Sequence, residues 1–577
     1  MKSLPSTGHT PAAAPRPSAR PAIHLIAVAA VCVFASVASF AAPGRNGAAI
    51  ASAHPLATDA GYRVLREGGN AFDAAVAVGA ALAVVEPYSS GLGGGGFWLL
   101  HRASDDHQVM IDARETAPAA AVPALYLGAD GKPRPGATRD GGKAAAIPGV
   151  PAGLVHLARN YGRLPLARTL APAIALARDG FAVDPRFSRI SQMREKVLQS
   201  GKGTQIFLDG MRAPQAGFLL RQPELAATLE KLMAQGAEGF YRGAVAQALV
   251  AGANAAGGVW SMADLAEYKV IERAPIRFTY RGATVTTAAL PSGGGVVLAQ
   301  SLNILERFAV GDIREPGNAH LVIEALRRGF QDRALHLGDS DFVRVPVERL
   351  IDKRYAGDRA ASIAAASATV SDGLATGATD KAESGNTTHY SVIDAGGNRV
   401  GATLSINFLF GSAIIPAGTG VLLNDEMDDF TVLPETPNFY QLRSGIANGI
   451  EPRKRPLSSM TPTFVEDERG VLVLGAPGGS RIVSQVLLGI LDYMHRRDVD
   501  LERIVNLPRY HHQYWPDRVE IEPVGFSPEW RAALVAKKHT IQVGARQWGN
   551  MQLAFRAKSN GAMLVASDPR GLDIGWY

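Results

Sequence analysis

Two adjacent threonines, Thr387 and Thr388, stand where a polar, glycine-containing stretch ends and a strand-like alternation of residues begins. A threonine hydroxyl inside a chain is a weak nucleophile. A threonine whose amino group is freed by cleavage of the preceding peptide bond carries its general base on the same residue. Because two threonines at the start of a strand also reflect ordinary β-propensity, the pair alone does not establish a catalytic role.

The threonines open the first of two strand-like runs. The first ends at residue 394, a Gly-Gly turn follows, and the second covers residues 399–407. Two such runs around a glycine turn predict a β-hairpin. With the two glycines at the centre of the turn, Thr387 is expected opposite Ile406. Ser405 and Asn407 flank that position, so a hydroxyl and an amide are expected beside Thr387.

Ten sequence motifs occur in a fixed order along the chain. From Thr387 onward they are TTHYSVID, SINFLFGS, LLNDEMDDF, KRPLSSMTPT and GAPGGSRI. Upstream they are SAHPLAT, GGNAFDAAVA, VVEPYSSGLGGGGF, DARETAP and LNILE. In this order they resemble the small and large subunits of γ-glutamyltranspeptidases. The resemblance covers residues 47–577.

The resemblance implies an α+β fold, a four-layer αββα sandwich of the Ntn-hydrolase type. In this family an inactive precursor cuts itself before the nucleophilic threonine. The implied division is a large subunit of residues 42–386 and a small subunit of residues 387–577, associated as a heterodimer after cleavage of Asn386-Thr387. The composition, with 47% apolar and 19% charged residues, agrees with one large globular enzyme.

The first 41 residues are predicted to be a signal peptide, with an approximate boundary. Three basic residues and no acidic one precede an apolar run that begins at Ile23 and ends in small residues. An uncleaved membrane anchor is the alternative, because about 20 apolar residues can span a bilayer. The single cysteine, Cys32, lies in this run, so a disulfide framework or a Cys nucleophile in the mature chain is excluded. We expect an exported protein, periplasmic or secreted.

The net charge gives little information about partners. It is +6 for the whole chain, and removal of Lys2, Arg16 and Arg20 lowers it to +3. With no basic repeat or patch of interleaved aromatic residues, binding to nucleic acid is not expected.

The resemblance assigns the catalytic residues. Thr387 is the nucleophile, and Gly478 and Gly479 match the oxyanion hole, where backbone N–H groups face the charge that develops on a carbonyl oxygen. Ser405 stands where the family typically has a threonine that hydrogen-bonds the nucleophile, so slower or looser self-cleavage is expected at most. His389, His511 and His512 are interpreted as structural, because the freed amine already supplies the base.

The resemblance also implies a site for an α-amino acid end. Arg114 matches the residue that clamps the substrate carboxylate, which suits the planar guanidinium. Asp429 is expected to receive the α-ammonium with help from Glu426, a position that is often Gln in bacterial members. The remaining substrate-binding residues are the polar Asn407, the carboxylate-binding pair Ser458 and Ser459, and Tyr440 in a segment, 434–453, that resembles a lid loop.

The implied substrates are glutathione and other γ-glutamyl compounds, with water, amino acids or dipeptides as acceptors. No metal or organic cofactor is expected. The acidic run 424–430 offers oxygen ligands that suit calcium, but it lacks the glycine and terminal glutamate spacing of an EF-hand.

Three other functions are alternatives for a chain with these motifs. Residues 91–96 match GxGxxG, but a dinucleotide site needs a strand before the motif and a helix after it, whereas here a helical run precedes it and a strand-like run follows. Acylases that cleave glutaryl amides resemble the same family, but their substrates lack the ammonium that Asp429 and Glu426 would bind. The third alternative is an unprocessed, catalytically silent binding protein.

Overall fold

The computed structural model describes residues 42–43, 47–371, 387–434 and 436–571. The predicted signal peptide and Asn386 therefore lie outside the described residues. The strands are Ala42–Pro43 (β1), Ala49–Ser52 (β2), Gly95–Arg102 (β3), His107–Ala113 (β4), Phe181–Ala182 (β5), Leu219–Leu220 (β6), Ile271–Arg273 (β7), Ile276–Tyr280 (β8), Ala283–Thr287 (β9), Thr388–Ile393 (β10), Arg399–Ser405 (β11), Thr463–Glu466 (β12), Gly470–Gly475 (β13), Tyr510–His511 (β14), Val519–Ile521 (β15), Ile541–Val543 (β16), Gln552–Ala557 (β17) and Met563–Ser567 (β18).

The α-helices are Pro55–Arg66 (α1), Ala71–Val85 (α2), Val150–Asn160 (α3), Leu166–Asp179 (α4), Pro185–Met193 (α5), Glu195–Ser200 (α6), Pro223–Gln235 (α7), Glu238–Tyr241 (α8), Gly243–Ala255 (α9), Met262–Ala266 (α10), Gly293–Leu305 (α11), Pro316–His336 (α12), Val347–Leu350 (α13), Lys353–Ala361 (α14), Arg481–His495 (α15), Leu501–Asn506 (α16) and Pro528–Ala536 (α17). Short 3₁₀ helices include Glu426–Asp429. Across the described ranges, no helix is both long enough and apolar enough to cross a membrane.

Two large sheets form the centre of the fold. Six strands follow the order β2-β10-β11-β3-β4-β7, and seven follow the order β1-β18-β17-β13-β12-β9-β8. In β3, Phe97 and Leu99 belong to the apolar core shared with the second sheet, while Trp98 and Leu100 pack with the helices on the other side. This alternation follows from the period of two of a strand. The four-layer αββα sandwich predicted from the sequence is confirmed.

Both sheets combine strands from before and after Thr387. In the six-stranded sheet β10 lies between β2 and β11, and β11 pairs with β3. In the seven-stranded sheet β12 pairs with β9, and β18 pairs with β1. A cut before Thr387 would therefore leave two chains joined by backbone ladders in both sheets.

Helix α2 is buried on all sides, as its Ala- and Val-rich sequence predicts. Asn70 and Asp73 form a capping box at its start. The glycine run that follows lies close to other backbone: a Cβ on Gly93 would be 1.9 Å from the carbonyl oxygen of Leu422, and one on Gly94 would be 2.0 Å from that of Ser405. With α2 before this run and β3 after it, the order of elements is the reverse of a dinucleotide-binding motif.

The predicted hairpin is confirmed as β10 and β11, but its predicted register is wrong by one residue. Thr388 pairs with Leu404 and Ile393 pairs with Arg399, so the ladder points Thr387 at Ser405 and not at Ile406. The difference comes from the turn, which has three central residues instead of two: the N–H of Asp394 donates to the carbonyl of Asn398, and Gly397 adopts a φ of 87°. A three-residue loop with a left-handed glycine is a common hairpin turn.

Candidate active site

Thr387 lies immediately before β10 and is almost fully buried. Its hydroxyl is 3.3 Å from the hydroxyl of Ser405, the last residue of the neighbouring strand β11. The backbone N–H of Asn407 donates to the same Ser405 oxygen at 2.9 Å. Asn407 has a φ of 71°, and its side-chain amide donates to the carbonyl of Asp425 at 3.0 Å. The structure thus places a hydroxyl and an asparagine beside Thr387.

A small cavity opens beside Thr387. Ten of the eleven site residues predicted from the sequence line it: Arg114, Thr387, Ser405, Asn407, Glu426, Asp429, Tyr440, Ser458, Ser459 and Gly479. These residues come from seven separate places along the chain. Gly478 does not line the cavity but directly precedes Gly479.

Arg114 forms the charged end of this cavity. One terminal nitrogen, Nη1, bonds to Glu426 and lies 3.4 Å from Glu115, while the other, Nη2, is 2.5 Å from Asp429. Its Nε donates to the carbonyl of Pro456 at 3.2 Å. The guanidinium predicted to clamp a carboxylate is therefore already surrounded by the carboxylates predicted to receive the ammonium. We call Arg114, Glu115, Glu426 and Asp429 the active-site charge group.

Burial dominates the titration of Glu426 and Glu115 in this group. Loss of solvation raises the pKa of Glu426 well above its ordinary value and raises the pKa of Glu115 to about 7, with the Arg114 charge opposing both shifts. Three carboxylates cannot all be ionised cheaply around one buried guanidinium. The group therefore has a strong tendency to take up a proton or a second cation.

Two buried polar atoms at the cavity have no hydrogen-bond partner among the described residues. They are the hydroxyl oxygen of Ser459 and the Oε2 atom of Glu426. An unpaired buried polar group costs about 1 to 3 kcal/mol. A ligand that accepts from one and donates to the other would satisfy both. The neighbouring Ser458 hydroxyl accepts instead from the N–H of Met460 at 3.1 Å.

Gly478 and Gly479 form a tight turn between β13 and α15. Their φ angles are 131° and 59°, in the range that glycine adopts most readily. Within the described part of the chain, neither N–H group donates a backbone hydrogen bond. A Cβ on Gly479 would lie 2.7 Å from the ring of Tyr440. The turn has the form expected of an oxyanion hole, which stays a prediction.

Tyr440 covers the cavity from the predicted lid segment. Its hydroxyl donates to the carbonyl of Asn407 at 3.0 Å, and its own carbonyl accepts from Gln513 at 2.9 Å. Gln513 also accepts a hydrogen bond from Ser480, which lines the cavity. Gln513 was missed from the sequence, where no motif marks it.

Apolar lining residues were missed as well. Leu442, Met460 and Ile482 complete the wall. Met460 and Ile482 stand inside the motifs KRPLSSMTPT and GAPGGSRI, and Leu442 stands in the lid-like segment. This placement is the signal that could have found them.

The three histidines weighed as bases do not line this cavity. His389 is buried between the hydroxyls of Thr403 and Ser391, at 2.9 and 3.2 Å, and loss of solvation lowers its pKa to about 3. Burial likewise lowers the pKa of His511 and of His512 to about 4. These contacts agree with the structural role expected of them.

A buried threonine at the start of a central strand of an αββα sandwich defines the class of N-terminal-nucleophile hydrolases. Comparison with known proteins identifies the family. The model of the family Gamma-glutamyltranspeptidase matches residues 57–575, and the chain belongs to this family of enzymes.

Individual relatives carry two kinds of name. The chain is 39% identical over 572 residues to "Glutathione hydrolase proenzyme" of Pseudomonas sp. (strain A14), covering 96% of this chain and 98% of that protein. It is 39% identical over 528 residues to "Acylase ACY 1 proenzyme" of Pseudomonas sp. (strain V22), covering 89% and 90%. Among solved structures, a cephalosporin acylase from Bacillus halodurans superposes with a TM-score of 0.78 at 25% identity, covering 97% of each chain.

Proposed function

We propose that this enzyme hydrolyses and transfers the γ-glutamyl group of glutathione and related γ-glutamyl compounds, through an ester on Thr387. One observation carries the proposal: the cavity beside the Thr387 hydroxyl holds a guanidinium, an unpartnered hydroxyl and carboxylates. A zwitterionic α-amino acid end complements this set, because its carboxylate accepts from Arg114 and Ser459 and its ammonium donates to Glu426 and Asp429.

The chemistry begins with self-cleavage of Asn386-Thr387, which frees the Thr387 amine. That amine takes the proton of the Thr387 hydroxyl, directly or through water, and the oxygen attacks the γ-carbonyl carbon. The oxyanion faces the N–H groups of Gly478 and Gly479, and one such donor contributes about 3 kcal/mol. The amide bond then breaks, and the amine returns the proton to the leaving nitrogen of cysteinylglycine.

The acyl-enzyme is resolved by a second nucleophile. Water gives glutamate, and an amino acid or dipeptide amine gives a new γ-glutamyl amide. The large and small subunits are proposed to remain together as a heterodimer, which the shared sheets support. Export to the periplasm or medium through the signal peptide belongs to the same proposal.

A glutaryl-type acylase is the second candidate, because acylase proenzymes are about as identical to this chain as the glutathione hydrolases are. A glutaryl group has the carboxylate but no α-ammonium. It would leave Glu426 and Asp429 facing each other around Arg114 with no cation added. The charge of the cavity therefore favours γ-glutamyl substrates.

The test compares two anilides that differ only in the α-ammonium. Wild-type enzyme should turn over γ-glutamyl anilide with the higher kcat/KM. Asp429→Asn should lower that value at least about a hundredfold, because breaking a buried charge pair typically costs about 3 to 5 kcal/mol. The loss on glutaryl anilide should be much smaller.

Asp428→Asn is the matched control, since Asp428 lies in the same 3₁₀ helix but does not line the cavity. Its effect on the ratio of the two kcat/KM values should be small. A wild-type preference for glutaryl anilide would refute the proposed function. Equal losses on both substrates in Asp429→Asn would show that Asp429 does not bind the ammonium.

A further inference from the structure

Arg333, on α12, is a buried cation without an acidic partner among the described residues. It is 3% exposed. Its Nη1 donates to the hydroxyl of Ser444 at 3.3 Å, while its Nε has no hydrogen-bond partner. No carboxylate of the described chain lies within ion-pair distance of it. Because an uncompensated buried charge is destabilising, Arg333 lowers the stability of the fold.

The surroundings place Arg333 behind the wall of the active-site cavity. A Cβ on Gly293 would lie 3.4 Å from the Arg333 Nε and 3.4 Å from Leu457. The N–H of Gly293 donates to the carbonyl of Ser458 at 2.9 Å. Arg333 thus lies next to the loop that carries Ser458 and Ser459.

A second wall of the cavity also rests on this part of α12. The N–H of Gly445 donates to the carbonyl of Ala334 at 2.7 Å, and Ser444, which binds Arg333, lies two residues after the lining residue Leu442. Arg333 therefore contacts the segments that support both walls. Its charge lies near the cavity, although Arg333 does not line it.

The charges inside the cavity show what such a cation can do. Of the residues that the structure describes, Arg114 is the one cation that lines it, and it already bonds to Glu426 and Asp429 and lies near Glu115. A substrate carboxylate that enters must share this guanidinium with carboxylates of the protein. Burial lowers the pKa of Arg333 to about 10, and the Asp429 charge opposes this shift, so Arg333 stays charged near neutral pH.

We infer that Arg333 is an electrostatic positioning residue, whose charge offsets the excess of carboxylates and lets the α-carboxylate of the substrate bind at Arg114 and Ser459. This inference rests on the proposed γ-glutamyl function and deepens it. Arg333 acts through space and through the loop at Ser458. It does not touch the reacting atoms.

The test replaces the charge and varies the substrate. Arg333→Met removes the charge at similar volume, and Arg333→Lys retains it. Three anilides serve as substrates: γ-glutamyl has both charged groups, glutaryl has only the carboxylate, and 4-aminobutyryl has only the ammonium.

Arg333→Met should raise KM and lower kcat/KM about tenfold on the γ-glutamyl and glutaryl anilides. On the 4-aminobutyryl anilide its kcat/KM should stay the same or rise, because a more negative cavity favours an ammonium. Arg333→Lys should restore most of the loss.

Equal losses on all three anilides, or no rescue by Arg333→Lys, would overturn the inference and leave Arg333 a structural residue. If Arg333→Met fails to fold, the Arg333→Lys and Arg333→Gln variants supply the same comparison. Failure of the proposed function shows separately, as a wild-type enzyme that prefers the glutaryl anilide.

Discussion

Helix α12 contributes to two groups of charges, which differ in whether all their polar atoms have hydrogen-bond partners. Near its middle, Glu324, Arg327 and Arg328 form a paired-charge group with Asp517. Six residues after Arg327, Arg333 stands behind the active-site charge group around Arg114. Both groups bring together residues from before and after Thr387, and most of their side chains are buried.

In the paired-charge group every carboxylate oxygen is occupied. Oε1 of Glu324 accepts from Arg327 and from the N–H of Thr369, and Oε2 accepts from Arg328 and from the Thr369 hydroxyl. Asp517 bonds to Arg327 and accepts from the N–H of Ser371 at 2.8 Å.

Three side chains of this region, His320, Glu324 and His539, lie within the reach of one metal ion. The oxygens of Glu324 are already taken by donors of the protein, as described above. The ring nitrogens of His320 contact His539 and the carbonyl of Ala364.

The active-site charge group is instead incomplete. Oε2 of Glu426 and Oε1 of Glu115 have no partner among the described residues, and neither do the Ser459 hydroxyl and the Arg333 Nε. A satisfied group stabilises the fold, while an unsatisfied one is available to a ligand. The comparison predicts that changes in the first group cost stability and that changes in the second cost substrate binding.

The largest effect is expected from Arg327→Met. This change removes the arginine that pairs with Asp517 and one of the two buried arginines that pair with Glu324, and it should lower the free energy of unfolding by about 3 to 5 kcal/mol. Chemical denaturation measures it. Arg354→Met is the control, because Arg354 is 95% exposed and should cost less than about 1 kcal/mol. A selective loss of γ-glutamyl binding in Arg327→Met would contradict the division of roles.

Arg114→Lys changes the active-site charge group and should therefore weaken substrate binding. Lysine keeps the charge but loses the planar fork, so kcat/KM on γ-glutamyl anilide should fall about a hundredfold, mainly through KM. Self-cleavage should continue, which denaturing electrophoresis reports. A variant that stays uncut would show that Arg114 is structural and that its assigned role is wrong.

Glu115→Gln sharpens the comparison through pH. The folded pKa of Glu115 is raised to about 7 from a model-compound value of 4.5, so the protonated form favours folding. Its contribution is complete below about pH 4.5 and is lost as the pH rises through 7, roughly 3 kcal/mol in all. Unfolding free energies measured between pH 4 and 8 should fall less steeply in Glu115→Gln. An unchanged slope would show that folding does not raise the pKa of Glu115.

A pair of small changes gives the mildest test. Ser459→Ala removes a hydroxyl that has no partner, so stability should hold while KM for γ-glutamyl anilide rises about fivefold. Thr369→Val removes a hydroxyl bonded to Glu324 and should cost about 1 kcal/mol of stability with no change in KM. A loss of stability in Ser459→Ala together with a raised KM in Thr369→Val would contradict the difference between the two groups.

The sequence predicted which residues line the cavity better than it predicted the residues that surround them. Motif resemblance located Arg114, Asp429 and the Gly478-Gly479 turn because each stands in a short, ordered pattern. Strand alternation located β10 and β11. The hairpin register was off by one because the loop length depends on the backbone conformation of Gly397, which spacing alone does not give.

Long-range partners could not be predicted in this way. Gln513 reaches Tyr440 from 73 positions away, and Arg333 is one of several arginines on α12. Their position follows from how the helices pack on the sheets, and a single sequence carries no local pattern for that. The sequence likewise did not predict the bonds of Arg114 to Glu426 and Asp429. Arg114 was assigned to the substrate carboxylate, and the two acidic residues were assigned to the substrate ammonium.

The central claim is that Thr387 becomes the amino-terminal nucleophile of a small subunit. Amino-terminal sequencing and intact mass of the purified wild-type protein and of Thr387→Ala test it most directly. The account predicts that the wild type yields two chains, the smaller one starting at Thr387 and covering residues 387–577, and that Thr387→Ala remains a single inactive chain. An active uncut protein, or a small chain that starts at any other residue, would contradict it.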